Sequence, residues 1–165
     1  MQKPIIAAVN GLAKGGGFEV ALACDIIISS ENSFFALPKP RVGLAALAGG
    51  LHRLSRQIPM KQAMGMILTG RRVMAEEGYK LGFVTEVVPE GDALAVSLLW
   101  AEPILECSQV YIRKSKDVVK SGDELASVPE AFEAYYQSVR AMKTSMDFIA
   151  GHLSFHEKRP HDYKG

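Results

Sequence analysis

The sequence has little of what announces a function through bulk composition. It carries two cysteines, Cys24 and Cys107, in 165 residues, far below the density of a disulfide-stapled secreted domain. Both follow apolar residues (Ala21-Leu22-Ala23 and Ile104-Leu105, the latter with Glu106 between), the setting of buried free thiols in a reducing compartment. An excess of one charge is also missing. The formal net charge of +1 provides no bulk field to draw a nucleic acid or an acidic surface, so an anionic ligand must be held by local groups. No apolar run approaches the roughly 20 residues that span a bilayer. The stretch from Ile5 to Val9 breaks at Asn10, too short for a signal-peptide core, and no amphipathic arginine-rich leader is seen. These absences exclude secretion and predict a location in the cytoplasm, mitochondrial matrix or peroxisome, without membrane or nucleic-acid partners.

What is present is ordinary globular material, 48% hydrophobic and 22% charged, long enough for a real core. The chain divides into an α/β front and an all-α back. Residues 4–10 are β-branched and apolar and read as a buried strand closed by Asn10-Gly11. Gly15-Gly16-Gly17 then leads into a predicted helix at 18–24. Strands follow at 25–30, around Ile26-Ile27-Ile28, and at 33–37, ended by Pro38 and Pro40. Short helices are predicted from Gly49-Gly50 to Leu54, at 60–68 behind Pro59, and at 75–81 with Gly82 as C-cap, then a strand at 83–88. Four helices are predicted beyond Gly91: 93–106, 109–120, 129–143 and 145–155. The third carries an apolar stripe at Phe132, Tyr135, Tyr136 and Val139. Three strands in the first forty residues are too few to bury five isoleucines on both faces of a parallel sheet. Another chain or a missing segment is expected to supply the rest.

The stretch from Ala13 to Glu19 concentrates the chemistry. Three glycines before a helix let backbone pass close to a ligand and aim N–H groups at an anion or a developing oxyanion; from the glycines alone, a tight strand-to-helix turn is the favoured reading. They are not a Walker A loop, because no Gly-Lys-Ser/Thr follows, nor a dinucleotide fingerprint, because Val20 replaces its last glycine. Glu19, between Phe18 and Val20, is a first-turn carboxylate that either caps the helix or, partly buried beside oxyanion donors, acts as general acid/base.

Residues 3–11, followed by Gly15-Gly16-Gly17-Phe18-Glu19 and the run to Asp25, resemble the signature of the crotonase superfamily, the enoyl-CoA hydratase/isomerase group. Phe35, Pro38, Gly43, Gly49-Gly50 with Arg53-Leu54, Thr69-Gly70-Arg71-Arg72, Gly82-Phe83-Val84 and the run from Phe155 to Pro160 continue the match. It is most similar to the enoyl-CoA hydratase and carnitinyl-CoA dehydratase branch.

The resemblance implies a crotonase-like α/β (ββα) spiral lacking its front turns. Residues 1–90 would be the rest of the spiral core, and residues 91–165 a helical trimerisation region. It also implies an enzyme, a lyase of fatty-acid metabolism that hydrates 2-enoyl-CoA thioesters or dehydrates their products. No cofactor is implied beyond the coenzyme A of the substrate, and the assembly would be a homotrimer or hexamer. Residue by residue, it makes the Gly16 N–H one of two oxyanion donors, with Gly15 beside it in the substrate site. Glu19 becomes one of two catalytic glutamates, and Lys158 a contact to the nucleotide end of CoA, unless it is simply an exposed lysine near a helix end. Lys39 stands where the family's hydratases carry the second glutamate. An ammonium is not a carboxylate base; beside Glu19 it would form an ion pair, or it is a solvated lysine in a Pro-rich loop. A one-glutamate isomerase and a non-catalytic CoA-binding or oligomerising module are therefore alternatives. No metal site is predicted. His152 and His156 are four apart, but Pro160 and the spacing to His161 break the zinc-protease pattern. They read as surface residues, and His52 as a residue that could sit at a pocket rim.

Overall fold

The structure, a computed structural model, describes residues 1–122, 127–133, 137–160 and 162–163. The chain forms two compact units, one of Ile5–Ala101, the other of Met1–Pro4 with Glu102–Gly165. The first runs β1 (Ile6–Val9), β2 (Leu12–Lys14), α1 (Gly16–Ala21), β3 (Ile26–Ser30), β4 (Phe34–Ala36) and a 3-10 turn (Lys39–Val42). It continues through α2 (Gly50–Gln57), α3 (Met60–Thr69), β5 (Val73–Met74), α4 (Ala75–Leu81) and β6 (Glu86–Val88) into the start of α5 (Ala93–Glu106).

Its strands form two three-stranded sheets. One is parallel, in the order β1-β3-β6, with Ile6 opposite Ile26 and Ile28 opposite Glu86. In the other, β2 and β4 are parallel, Ala13 facing Phe35, while β4 and β5 are antiparallel, Phe35 facing Val73. The predicted front end contains one strand too few: β2 is missing from it. Three residues give a single exposed-buried-exposed alternation, and glycines bracket it, so no period-two signal accumulates. The predicted strand at 83–88 shrinks to Glu86–Val88. Ile27 and Ile28 are buried, whereas Ile5 and Ile6, before and on the edge strand β1, and Ile26, at the start of the central strand β3, stay half-buried.

Three rings hold the helices to the second sheet. Phe18 of α1, Phe35 of β4 and Phe83 after α4 meet with centroids 5.1, 5.2 and 5.1 Å apart, tilted or edge-on, as aromatic quadrupoles prefer. At the ends of β1 and β3 polar contacts replace apolar packing, with Ser30 and Ser33 buried and Asn10 exposed. The Ser30 hydroxyl donates toward Asn10 Oδ1 (2.7 Å), Ser33 Oγ donates to the Val9 carbonyl (3.0 Å), and Asn10 Oδ1 also accepts from Gly91 N–H (3.0 Å). Asn10 thus ties the strand ends to the loop after β6.

The second unit holds the end of α5, then α6 (Gln109–Gly122), α7 (Val128–Glu133), α8 (Gln137–Lys143) and α9 (Met146–Glu157). Ser108 accepts from Tyr111 N–H at the start of α6 and donates to Asp147 of α9; Tyr111 OH donates to the Met142 carbonyl (3.0 Å). Ser145 caps α9 through Phe148 N–H (3.3 Å). The single helix predicted over 129–143 corresponds to α7 and α8. Tyr135 and Tyr136 of its stripe lie outside the described residues, Phe132 is exposed and Val139 half-buried.

Cys24 is half-buried and Cys107 exposed. The predicted burial fails because Cys107 follows the last turn of α5, where Leu105 is itself exposed. There its Sγ donates to the Pro103 carbonyl (3.3 Å). Among the described residues no helix is long and apolar enough to cross a membrane.

Candidate active site

The junction of β2 and α1 is built on Gly15, at φ 56° and ψ −117°, a conformation that side-chain residues rarely adopt. Its N–H donates to the Ala36 carbonyl (2.9 Å), closing β2 against β4, and its carbonyl accepts from Glu19 N–H (3.0 Å), opening α1. Gly16 and Gly17 differ from it. Neither has a positive φ, and a Cβ added to either would meet nothing within 4 Å. Neither backbone strain nor crowding inside this chain demands glycine at those two positions. Both are exposed, and first-turn N–H groups have no acceptor within their own helix. Of the two readings of the glycine run, the tight turn accounts for Gly15 and leaves the other two unexplained.

One turn further on, Glu19 is 2% exposed, more deeply buried than its sequence suggests. Oε1 accepts from Gly50 N–H (3.0 Å) and Oε2 from Lys39 Nζ (2.6 Å). Lys39 reaches it from the 3-10 turn, whose second residue is Pro40; its side chain is 27% exposed. The solvated-lysine reading is thereby replaced by the ion pair. Burial pushes the Glu19 carboxyl up, but the Lys39 hydrogen bond and charge, with the Gly50 and Ala48 amides, outweigh it. The net direction is down from the ordinary 4.5. At neutral pH Glu19 is an ionised acceptor.

Gly50 is the site residue that sequence reasoning missed: in the sequence it reads as a helix start and as part of the family resemblance, with no role at the site. It follows Gly49 (φ 106°), the N-cap of α2, and a Cβ there would lie 2.9 Å from Glu19 Cγ and 3.0 Å from Ala46 Cβ. Glycine at 50 is what lets a backbone amide approach the carboxylate. The available signal was the clustering of small residues at Ala45, Ala46, Ala48, Gly49 and Gly50.

Gly15, Gly16, Glu19 and Lys39 thus fall together in the first unit. Lys158 belongs to the second, where it is the C-cap of α9 at φ 53° and exposed. His52, His152 and His156 are exposed; His152 Nδ1 lies 2.7 Å from the Phe148 carbonyl. Among the described residues no three histidines, cysteines or carboxylates cluster as metal ligands would.

The full chain, residues 1–165, matches the family described as Enoyl-CoA hydratase/isomerase. The carnitinyl-CoA dehydratase of Escherichia coli (strain K12) is 36% identical over 169 residues, covering 100% of this chain and 64% of that protein. The carnitinyl-CoA dehydratase of Proteus mirabilis (strain HI4320) is 36% identical over 172 residues with the same coverage. The crystal structure of enoyl-CoA hydratase from Mycobacterium tuberculosis H37Rv superposes with a TM-score of 0.94 at 34% identity, covering 99% of this chain and 65% of that one. The chain therefore spans 64% of the length of these curated relatives.

Proposed function

Because the chain belongs to the enoyl-CoA hydratase/isomerase family and has its crotonase-like α/β fold, we propose that it serves a hydratase/dehydratase-type lyase acting on 2-enoyl-CoA thioesters. The observation that carries this reading is the buried, ionised Glu19 one helical turn from the uncrowded Gly16 amide. In this proposal the thioester carbonyl lies against Gly16 N–H, beside the turn made by Gly15. Water held by Glu19 gives it a proton as its oxygen adds to C3. The C2–C3 π electrons shift so that charge collects on the thioester oxygen, where an amide donor is worth most. The protonated Glu19 returns the proton to C2 and is thereby a carboxylate again, the form that the Lys39 ammonium stabilises. The lowered Glu19 pKa makes this return easy and the first abstraction harder. Lys158 is assigned to the nucleotide end of CoA, and a homotrimer or hexamer is the proposed assembly. CoA enters as part of the substrate, with no further cofactor in the scheme.

A second reading is favoured by Lys39 itself. With one carboxylate in the pair, a proton shuttle between C2 and C4, as in an isomerase, needs no second glutamate to position water. Three assays with the 165-residue protein separate the readings: hydration of crotonyl-CoA, the shift of a 3-enoyl-CoA to the 2-enoyl isomer, and deuterium uptake from solvent at C2. Glu19→Gln is expected to lower deuterium uptake by about 10²–10⁴-fold; equal uptake by wild type and variant would sink both. Hydration that rises in Lys39→Glu while the isomer shift falls supports the lyase assignment. A wild-type isomer shift faster than hydration, not improved by that substitution, supports the isomerase.

A further inference from the structure

The outer face of the β2–β4–β5 sheet, opposite the phenylalanine cluster, floors an open cleft of about 810 Å³ that begins at Gly15 and Lys39. Five cationic side chains line it: Lys14 on β2, Lys39 and Arg41 on the 3-10 turn, and Arg71 and Arg72 between α3 and β5. Two of the five are neutralised locally, Lys39 by Glu19 and Arg71 by a two-pronged pair with Glu77 (2.6 and 3.0 Å). Arg72 lies over the Phe34 ring at 4.6 Å, and Arg41 uses Nε on the Thr69 carbonyl (3.0 Å). Both guanidinium groups are thus oriented without a carboxylate partner among the described residues. The Lys14 side chain makes no hydrogen bond or ion pair among them. In a protein of net charge +1, this concentration of one sign in one cleft is local and is not a by-product of general basicity.

Such a cleft favours anionic oxygens, which planar, anchored arginines bind as charge-assisted pairs. A CoA thioester brings anions from two sources, its phosphates and, in some acyl groups, a carboxylate. The phosphates hang at the far end of the pantetheine arm from the thioester; an acyl carboxylate lies a few bonds from it. The cleft opens directly beside Gly15 and Lys39, next to the amide assigned to the thioester carbonyl. We infer that this cleft holds a carboxylate at the far end of the acyl group, so that the substrate class is a dicarboxylic enoyl-CoA. The inference rests on the proposed acyl-CoA reading and sharpens it. It also separates this chain from its carnitinyl-CoA relatives, since a carnitinyl group is a trimethylammonium cation and the cleft repels it.

Calorimetric titration of the 165-residue protein with four ligands tests the assignment: crotonyl-CoA, glutaconyl-CoA, and the two corresponding pantetheine thioesters, which lack the nucleotide. The acyl carboxylate is expected to tighten binding about tenfold or more within each pair at low salt, the gain shrinking as salt rises. In the double variant Lys14→Gln, Arg72→Gln the ratio within each pair should fall toward one. Equal affinities within the pairs overturn the inference, while binding of crotonyl-CoA still upholds the family reading. A preference for CoA over pantetheine that the double variant abolishes, without any acyl-carboxylate gain, assigns the cleft to phosphates and overturns it as well. No binding of any of the four removes both.

Discussion

The two units handle their phenylalanines in opposite ways. Between Ile5 and Ala101, Phe18, Phe35 and Phe83 are buried against one another, and the ring cluster backs the helix that carries Glu19. In the second unit Phe132 is 87% and Phe155 85% exposed, with Leu105, Met146 and Ile149 exposed beside them in the sequence of helices. Rings of the same size are therefore structural in one unit and uncovered in the other. The first unit closes its core around the site with its own residues; the second leaves large apolar side chains uncovered, as interaction surfaces do. Self-association through these uncovered side chains is the proposal that follows.

Substitutions can break this contrast, and the largest effect belongs to the ring cluster. Phe35→Ala should cost about 3–5 kcal/mol in urea unfolding, because two facing rings lose their partner. A cost below about 1 kcal/mol would mean that the cluster is not a shared core. Next comes Gly50→Ala, which places a methyl group 2.9 Å from Glu19 Cγ. Overpacking of this kind costs about 1–3 kcal/mol, and C2 deuterium uptake should fall with it. An unchanged midpoint and unchanged uptake would show that the amide contact does not position the carboxylate.

A smaller effect concerns acid. Glu19 has a folded-state pKa below its ordinary 4.5. Its contribution to stability is therefore complete above that ordinary value and is lost as pH falls through the lowered one. In Lys39→Met, burial acts with less opposition and pushes the carboxyl up relative to wild type. Plots of urea midpoint against pH should show a smaller loss of stability on acidification in the variant than in the wild type; superimposable curves would contradict the ion pair. The smallest effect on the fold is expected at Phe155. Phe155→Ser should change unfolding free energy by no more than about 0.5 kcal/mol, yet lower the average mass in light scattering at micromolar concentration. A wild-type protein that is already a sharp monomer there would remove the contrast between the units.

The sequence made some of this legible and hid the rest for physical reasons. Some helices were readable: Ala75–Leu81 ends at Gly82, and Ala93–Glu106, opening two residues after Gly91, has its predicted bounds. The Lys39–Glu19 pair was readable from chemistry once both residues were assigned to one site. β2 was not, since three residues cannot display a period. Nor was the Gly50 contact: an amide carries no side-chain signature, and the two residues are 31 positions apart. The exposure of Cys107 was hidden because apolar sequence neighbours say nothing about what packs over the end of a helix. The cationic cleft was hidden too, because Lys14, Arg41 and Arg72 come from three separate segments that only the sheet brings together.

The Gly50 contact has a spectroscopic consequence. An amide proton bound to a single carboxylate oxygen is deshielded while that oxygen is charged and moves upfield when it takes a proton. Glycine amides lie in a sparsely populated region of the ¹⁵N–¹H correlation map, so the Gly50 cross-peak is a built-in indicator dye for Glu19. Following its chemical shift through an acid titration would read the ionisation of one buried carboxylate directly. Following it through a titration with thioester would report that carboxylate's protonation as the site fills, without any chemical turnover.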